Sequence, residues 1–156
     1  MGFLNKENKD EDIQLSLKLF VVLTRTLQSI QKEIIKDIKS YGLNSTEFGV
    51  LELLYNKGAH PIQKIGQKLL LASSSITYVV DKLEKKQFLE RKACPTDRRI
   101  THAVLTDKGR DLMDEIFPKH QLVLQNILGG LNIEEKKQMH EQLKKLGYHA
   151  EKRQNL

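Results

Sequence analysis

The sequence predicts a mostly α-helical fold with one small β-hairpin, an α+β chain in which helix dominates. Apolar residues recur at helical spacing through most of its length. Asn44-Ser45-Thr46-Glu47 and Asn132-Ile133-Glu134-Glu135 each place Glu three positions after an N-cap residue, the capping-box pattern that opens a helix. Residues 88–105 lose the helical period, and two short runs there flank a polar turn containing Pro95.

The first helix is expected over 11–39. Ile13, Leu17, Phe20, Leu27, Ile34 and Ile38 form its stripe, widened by Leu19, Leu23, Ile30 and Ile35. A stripe this wide fits either core packing or a subunit interface. Gly42 ends it. A second helix opens at Asn44, buries Phe48, Leu51, Leu54 and Tyr55, and closes at Lys57-Gly58. Pro61 starts a third, shorter helix that runs to about Lys68, with Ile62, Ile65 and Leu69 inward. After a break, Ser73-Ser74-Ser75 leads a fourth helix that runs to about Lys86. Its apolar set, Ile76, Val79, Val80 and Leu83, lies opposite Ser74, Ser75, Thr77, Tyr78, Asp81, Lys82 and Lys85. Two short helices joined by a tight turn, the second led by small hydroxyl side chains, make a helix-turn-helix pattern.

Residues 88–93 and 100–105 read as two strands, and Cys94-Pro95-Thr96-Asp97-Arg98-Arg99 joins them. That is a hairpin with a basic tip, the wing of a winged helix. Thr106 caps a fifth helix with Asp107 in its first turn. Met113, Ile116, Phe117, Val123, Leu124, Ile127 and Leu128 form its stripe, and Pro118 inside it is expected to kink or split the helix. Gly129-Gly130 ends the segment. A last helix follows Asn132, with Met139, Leu143 and Leu146 on its apolar face. The expected organisation is a single domain over 1–156. Residues 44–109 form a winged helix-turn-helix, flanked by helical regions 11–43 and 110–156.

Charge separates these parts. Residues 61–110 hold eleven Lys and Arg against five Asp and Glu, a surplus of six that equals the formal charge of the whole chain. Positive charge gathered into a third of a small chain suggests a surface for a polyanion. At 156 residues and 39% apolar content, the chain can bury a core without disulfides. Cys94 is the sole cysteine, which excludes an internal disulfide and fits a reducing cytoplasm. The opening residues lack the apolar run of a signal peptide, and Lys6 stands where a myristoylation motif needs Ser or Thr. The longest apolar stretches are too short to span a bilayer. The expectation is a cytoplasmic protein with no membrane partner.

At the wing the sequence resembles a known family. Asp97-Arg98-Arg99, followed by Leu105-Thr106-Asp107-Lys108-Gly109, is similar to the D-x-R…L-T-x-x-G signature of MarR-type transcriptional regulators. The run from Ser75 to Glu84 and Phe117-Pro118-Lys119-His120 resemble that family too, so the likeness covers about residues 11–150. Gln87 departs from it, since family members often carry Gly between recognition helix and wing. A left-handed backbone is less comfortable for Gln than for Gly. The resemblance implies a homodimer built from the N- and C-terminal helices, with two winged helices on pseudo-palindromic double-stranded DNA. It also implies repression, often released by a small phenolic or lipophilic ligand or by an oxidant. The general look is similar to the branch of the family that answers phenols and quinones.

The residues themselves lead to a compatible place. A recognition helix presents its N-terminal residues to base edges in the major groove. Here those are Ser73, Ser74, Ser75, Thr77 and Tyr78, with one of the three serines expected to be the cap. Short hydroxyls discriminate weakly one by one, so shape readout and phosphate positioning should contribute much of the selectivity. Arg98 and Arg99 suit a narrow A·T minor groove. By the resemblance Arg99 is the inserted residue, and Asp97 orients it through a carboxylate–guanidinium pair. Lys64, Lys68, Lys82, Lys85, Arg91 and Lys92 are candidate phosphate partners.

Cys94 is either a thiol sensor, activated by nearby Arg91, Lys92, Arg98 and Arg99, or an inert residue at a strand end. Phe20, Leu23, Phe48, Leu51, Tyr55, Phe117 and His120 either line an effector pocket or pack as core. The five histidines show no metal-ligand spacing, so no metal and no cofactor are expected. No nucleophile–base pair or phosphate loop appears, and an enzyme is not expected. The competing function is a winged helix used as an architectural or protein-interaction module without a specific operator.

Overall fold

The structure, a computed structural model, describes residues 6–154. It comprises two compact units, one ending at Gln121 and one beginning at Leu122. The order is α1 (Lys6–Ser40), α2 (Ser45–Lys57), β1 (His60–Pro61), α3 (Ile62–Lys68), α4 (Ser73–Lys85), β2 (Leu89–Ala93), β3 (Thr101–Leu105), α5 (Asp107–Ile127) and α6 (Ile133–Gln154).

The core of the first unit forms where helical stripes converge. Ile38 and Leu43 close the end of α1. Phe48, Val50, Leu51 and Leu54 face inward from α2, and Ile62 and Ile65 from α3. Ile76, Val79, Val80 and Leu83 are all buried on α4, the set that its sequence spacing predicts. Leu89, Ala103, Met113 and Ile116 complete it. The rest of α1 behaves differently. Ile13, Leu17, Phe20 and Leu27 are exposed, and Phe20 is 69% exposed. Leu15–Leu23 is apolar at nearly every azimuth, a composition that belongs to a covered helix.

Three local expectations are corrected. Pro61 does not begin α3. It is the extended residue before the helix (φ −56°, ψ 134°) and forms β1 with His60. β1 adds a third strand to an antiparallel sheet of order β1-β3-β2, pairing His60 with Ala103 and Pro61 with His102. Proline tolerates this place because β1 is an edge. The hairpin register runs from Leu89 opposite Leu105 to Ala93 opposite Thr101. Pro118 does not split α5, which continues through it, with Met113 and Ile116 buried before it and His120 after it. No serine caps α4: its N-cap is Ala72 in an extended conformation, with no side-chain hydrogen bond.

Both predicted capping boxes form. Glu47 N–H donates to Asn44 Oδ1 at 2.8 Å and Asn44 N–H to Glu47 Oε1 at 3.3 Å. Glu135 N–H donates to Asn132 Oδ1 at 2.9 Å and Asn132 N–H to Glu135 Oε2 at 2.8 Å. Two helix ends are tighter than the sequence suggests. After α3, Leu70 N–H bonds Gln67 O and Leu71 N–H bonds Gly66 O, with Leu70 at φ 56°. After α4, Gln87 N–H bonds Glu84 O and Phe88 N–H bonds Leu83 O, with Gln87 at φ 65°. Both are Schellman endings whose left-handed position glycine usually fills.

Candidate nucleic-acid interface

With Ala72 as N-cap, Ser73, Ser74 and Ser75 occupy the first turn of α4 and are exposed. The Thr77 hydroxyl donates to the Ser73 carbonyl at 3.0 Å. The first N–H groups of α4 have no side-chain cap, which leaves them open to an acceptor outside the chain. Tyr78 is exposed, and Lys82 Nζ lies 5.6 Å from its ring centroid. An open groove of about 400 Å³ is lined by Ser74, Ser75 and Tyr78 of α4 together with Asn44 and Thr46 at the start of α2. Sequence reasoning did not single out Asn44 and Thr46 for this surface, since the capping box accounted for them.

The wing tip is ordered from within. Asp97 Oδ1 accepts the Arg99 backbone N–H at 3.0 Å and Arg99 Nε–H at 3.1 Å, while Oδ2 accepts Nη2–H at 3.1 Å. The fork-on-carboxylate geometry holds the guanidinium although the Arg99 side chain is 90% exposed. These bonds hold the Asp97 carboxyl below its usual range and raise the Arg99 guanidinium. Arg98 is exposed beside it.

Arg91, a candidate phosphate partner, is ion-paired within the chain. Its Nη1–H donates to Glu84 Oε1 at 2.9 Å, its backbone N–H to Glu84 Oε2 at 3.1 Å, and its Nη2–H to Asp81 Oδ1. Desolvation alone would lower its pKa, but the two carboxylates raise it. The residue straps β2 to α4 and has its charge neutralised there. Lys82 is partly committed too, with Nζ 3.9 Å from Glu47 Oε1. Lys92 pairs with Glu90 at 3.2 Å, while Lys64, Lys68 and Lys85 stand exposed.

The turn from α4 into the wing is locked by Thr106 and Gly109. The Thr106 hydroxyl donates to Gln87 O at 2.6 Å and accepts Gly109 N–H at 3.0 Å, and Thr106 N–H donates to Phe88 O at 3.1 Å. A Cβ on Gly109 would stand 2.0 Å from Phe88 O, so this position admits only glycine without backbone movement. The L-T-x-x-G run thus has a physical cause: a cap, a cross-turn bond and a close approach.

Cys94 is half-buried, with Sγ 3.3 Å from Thr96 Oγ1. Its thiol is lowered by the Thr96 hydroxyl and then by the Thr96 and Asp97 backbone, while burial and the Asp97 charge oppose this. The expected cause, the neighbouring arginines and lysines, is replaced by turn hydrogen bonds.

The residues named for an effector pocket separate. Leu51 and Phe48 are buried in the core, and Phe20 is exposed. An aromatic chain links the others: Phe48 to His120 at 4.6 Å between centroids, His120 to Phe117 at 6.4 Å, and Phe117 to Tyr55 at 5.5 Å. Buried His120 places Nδ1 2.8 Å from Asp37 Oδ2, and Tyr41 OH donates to Asp37 Oδ1 at 2.7 Å. Burial and that bond push Tyr41 up to about 12. Tyr55 OH donates to Asp114, which raises its pKa.

A three-helix core with an α3–turn–α4 pair and an Arg-tipped hairpin defines a winged helix-turn-helix protein. The MarR family model matches residues 43–101. The HTH-type transcriptional regulator MhqR of Bacillus subtilis (strain 168) is 53% identical over 140 residues, covering 90% of this chain and 97% of MhqR. The transcriptional repressor MprA of Escherichia coli (strain K12) is 31% identical, over 81% of this chain and 75% of its own. Among solved structures, that of Bordetella bronchiseptica BpsR, whose DNA binding is regulated by 6-hydroxynicotinic acid, has a TM-score of 0.71 at 26% identity. It covers 81% of this chain and 90% of BpsR. The chain belongs to the MarR family of transcriptional regulators, DNA-binding proteins rather than enzymes. Among the described residues, no helix is long and apolar enough to cross a membrane.

Proposed function

We propose that this chain is a homodimeric repressor of a pseudo-palindromic operator, acting in the cytoplasm and released by a small phenolic or lipophilic ligand or by an oxidant. The observation that carries the DNA contact is the wing tip: Arg99 is almost fully exposed yet held by Asp97 for insertion. Residues 44–109 supply the DNA-binding surface. Ser73, Ser74, Ser75, Thr77 and Tyr78 meet the major groove, and Arg98 and Arg99 the minor groove.

Dimerisation through 11–43 and 110–156 is supported by the apolar surface left uncovered on α1. Ile13, Leu15, Leu17, Phe20 and Val22 are each about half exposed or more. An exposed run of this size marks an interaction surface. A partner copy would cover it and set two recognition helices about 34 Å apart, one DNA turn. Repression is supported by the likeness to the repressor MprA, and a ligand switch by the likeness to BpsR, which answers 6-hydroxynicotinic acid. Tyr55 and Phe117, which are only partly buried, are the effector contacts retained; Phe48, Leu51 and His120 are buried, and Phe20 is exposed on α1.

The test selects a duplex from a random pool with the wild-type protein. Sedimentation then gives the chains bound per duplex, and binding is repeated with a panel of phenols, quinones and peroxides. Two chains on one inverted repeat, released by at least one compound class, is the expected result. Equal binding to any duplex indicates an architectural module instead.

A further inference from the structure

Glu47 is 3% exposed, a buried charged side chain in the first unit. Its capping role does not require this. Glu135 performs the same capping at the start of α6 while exposed. Burial of a carboxylate is unfavourable unless cations and donors satisfy it. Glu47 is satisfied from α4: Lys86 Nζ donates to Oε2 at 2.6 Å, and Lys82 Nζ stands 3.9 Å from Oε1. The two lysines lie four residues apart, on one face of the last turns of α4, where cations also suit the helix dipole.

We propose that Glu47 is a positioning residue for DNA recognition, one that fixes the pose of α4 and withdraws two of its lysines from the phosphate-facing surface. The proposal rests on the DNA-binding reading above. Burial of Ile76, Val79, Val80 and Leu83 determines which face of α4 turns inward, but apolar burial is non-directional. Close packing holds that face in place, and directional bonds add a further constraint on rotation and sliding. A short charge-assisted bond is directional. Arg91 grips Asp81 and Glu84 on the wing side of the same half of α4, and Glu47 grips Lys82 and Lys86 from the core side. The N-terminal half, which carries Ser73 to Tyr78, has no side-chain cap of its own. Its pose is set by the packing of Ile76 and by the clamped half. Cations held by Glu47 contribute less to sequence-independent phosphate binding, so the clamp raises discrimination from both directions.

The test is fluorescence anisotropy on two duplexes, one selected by the wild-type protein from a random pool and one scrambled at equal composition. Salt is varied between about 50 mM and about 200 mM, the range over which phosphate contacts separate. Glu47→Gln keeps a capping-box residue and removes the charge. Its affinity for the selected duplex should fall and that for the scrambled duplex rise, shrinking their ratio by about tenfold. The salt dependence on the scrambled duplex should steepen by up to about 2 per subunit as the lysines are released. Simple destabilisation would weaken both duplexes alike, and an unchanged ratio overturns the proposal. Glu47→Asp leaves the Asn44 cap of α2 in place but falls short of Lys86, and should show the same loss of ratio if the first variant folds poorly. A wild-type protein that does not distinguish the duplexes refutes the sequence-specific reading of the proposed function itself.

Discussion

Replacing Gly109 with Ala reverses the sign that helix propensity alone assigns. Gly109 lies in the first turn of α5, and an exposed helical Gly→Ala change stabilises by about 1 kcal/mol. Here the added Cβ would stand 2.0 Å from Phe88 O and 2.9 Å from Leu105 Cδ1. Ordinary contact needs more than an ångström of additional separation from that carbonyl, so α5 must move away from the 86–88 turn. The movement breaks the Gly109 N–H bond to Thr106 Oγ1, a cap worth about 1 kcal/mol. It also strains the Thr106 bond to Gln87 O, worth about another 1 kcal/mol. Overpacking adds about 1–3 kcal/mol. After the propensity gain, Gly109→Ala should destabilise by about 2–4 kcal/mol. Urea unfolding at fixed protein concentration reads this as a lower midpoint at unchanged slope. A midpoint that rises, as propensity alone requires, refutes the close approach of Phe88 to α5.

Leu70→Gly and Gln87→Gly should each stabilise by up to about 1 kcal/mol and so raise the urea midpoint, because both residues hold left-handed backbones and Leu70 is 92% exposed. A lower midpoint for both would contradict the two Schellman endings. Asp97→Ala keeps the Arg99 charge but frees its guanidinium, so binding to a selected duplex should weaken by about tenfold with little change on scrambled DNA. Because the folded Asp97 carboxyl lies below its usual range, the pair is complete at neutral pH and is lost only as pH falls through that lowered value. Loss of selectivity between about pH 8 and about pH 6, well above the carboxylate range, would exclude Asp97 as its cause. Thr96→Ala removes the first of the bonds that lower the Cys94 thiol, so alkylation by iodoacetamide at neutral pH should slow; an unchanged rate would show that the hydroxyl does not activate the thiol.

Local patterns made most of the helices legible. The two Asn-x-x-Glu boxes, the Ile76–Leu83 spacing and the Thr106 cap all act within a few residues of chain. β1 escaped notice because two residues cannot show a strand period, and its pairing partner lies across the wing. The α4 cap was misplaced because a serine run resembles a cap, whereas the chain bends one residue earlier, at Ala72. Charge counting names Arg91 and Lys82 as phosphate candidates and is blind to the carboxylates that pair with them in the fold. The second role of Glu47 was equally hidden: Lys86 is 39 positions away, and only the fold brings the two together. The wing motif fared better, because Asp97 and Arg99 interact within a single turn.

Hydroxyl-radical footprinting of the wild-type protein on its selected duplex distinguishes a dimer on an inverted repeat from any other mode of binding. A dimer bound to its operator gives two symmetric sets of protection whose centres lie about one helical turn apart, ~34 Å, with the wing contacts in flanking minor grooves. A single protected segment bound by one chain, or uniform protection along the duplex, would contradict that arrangement.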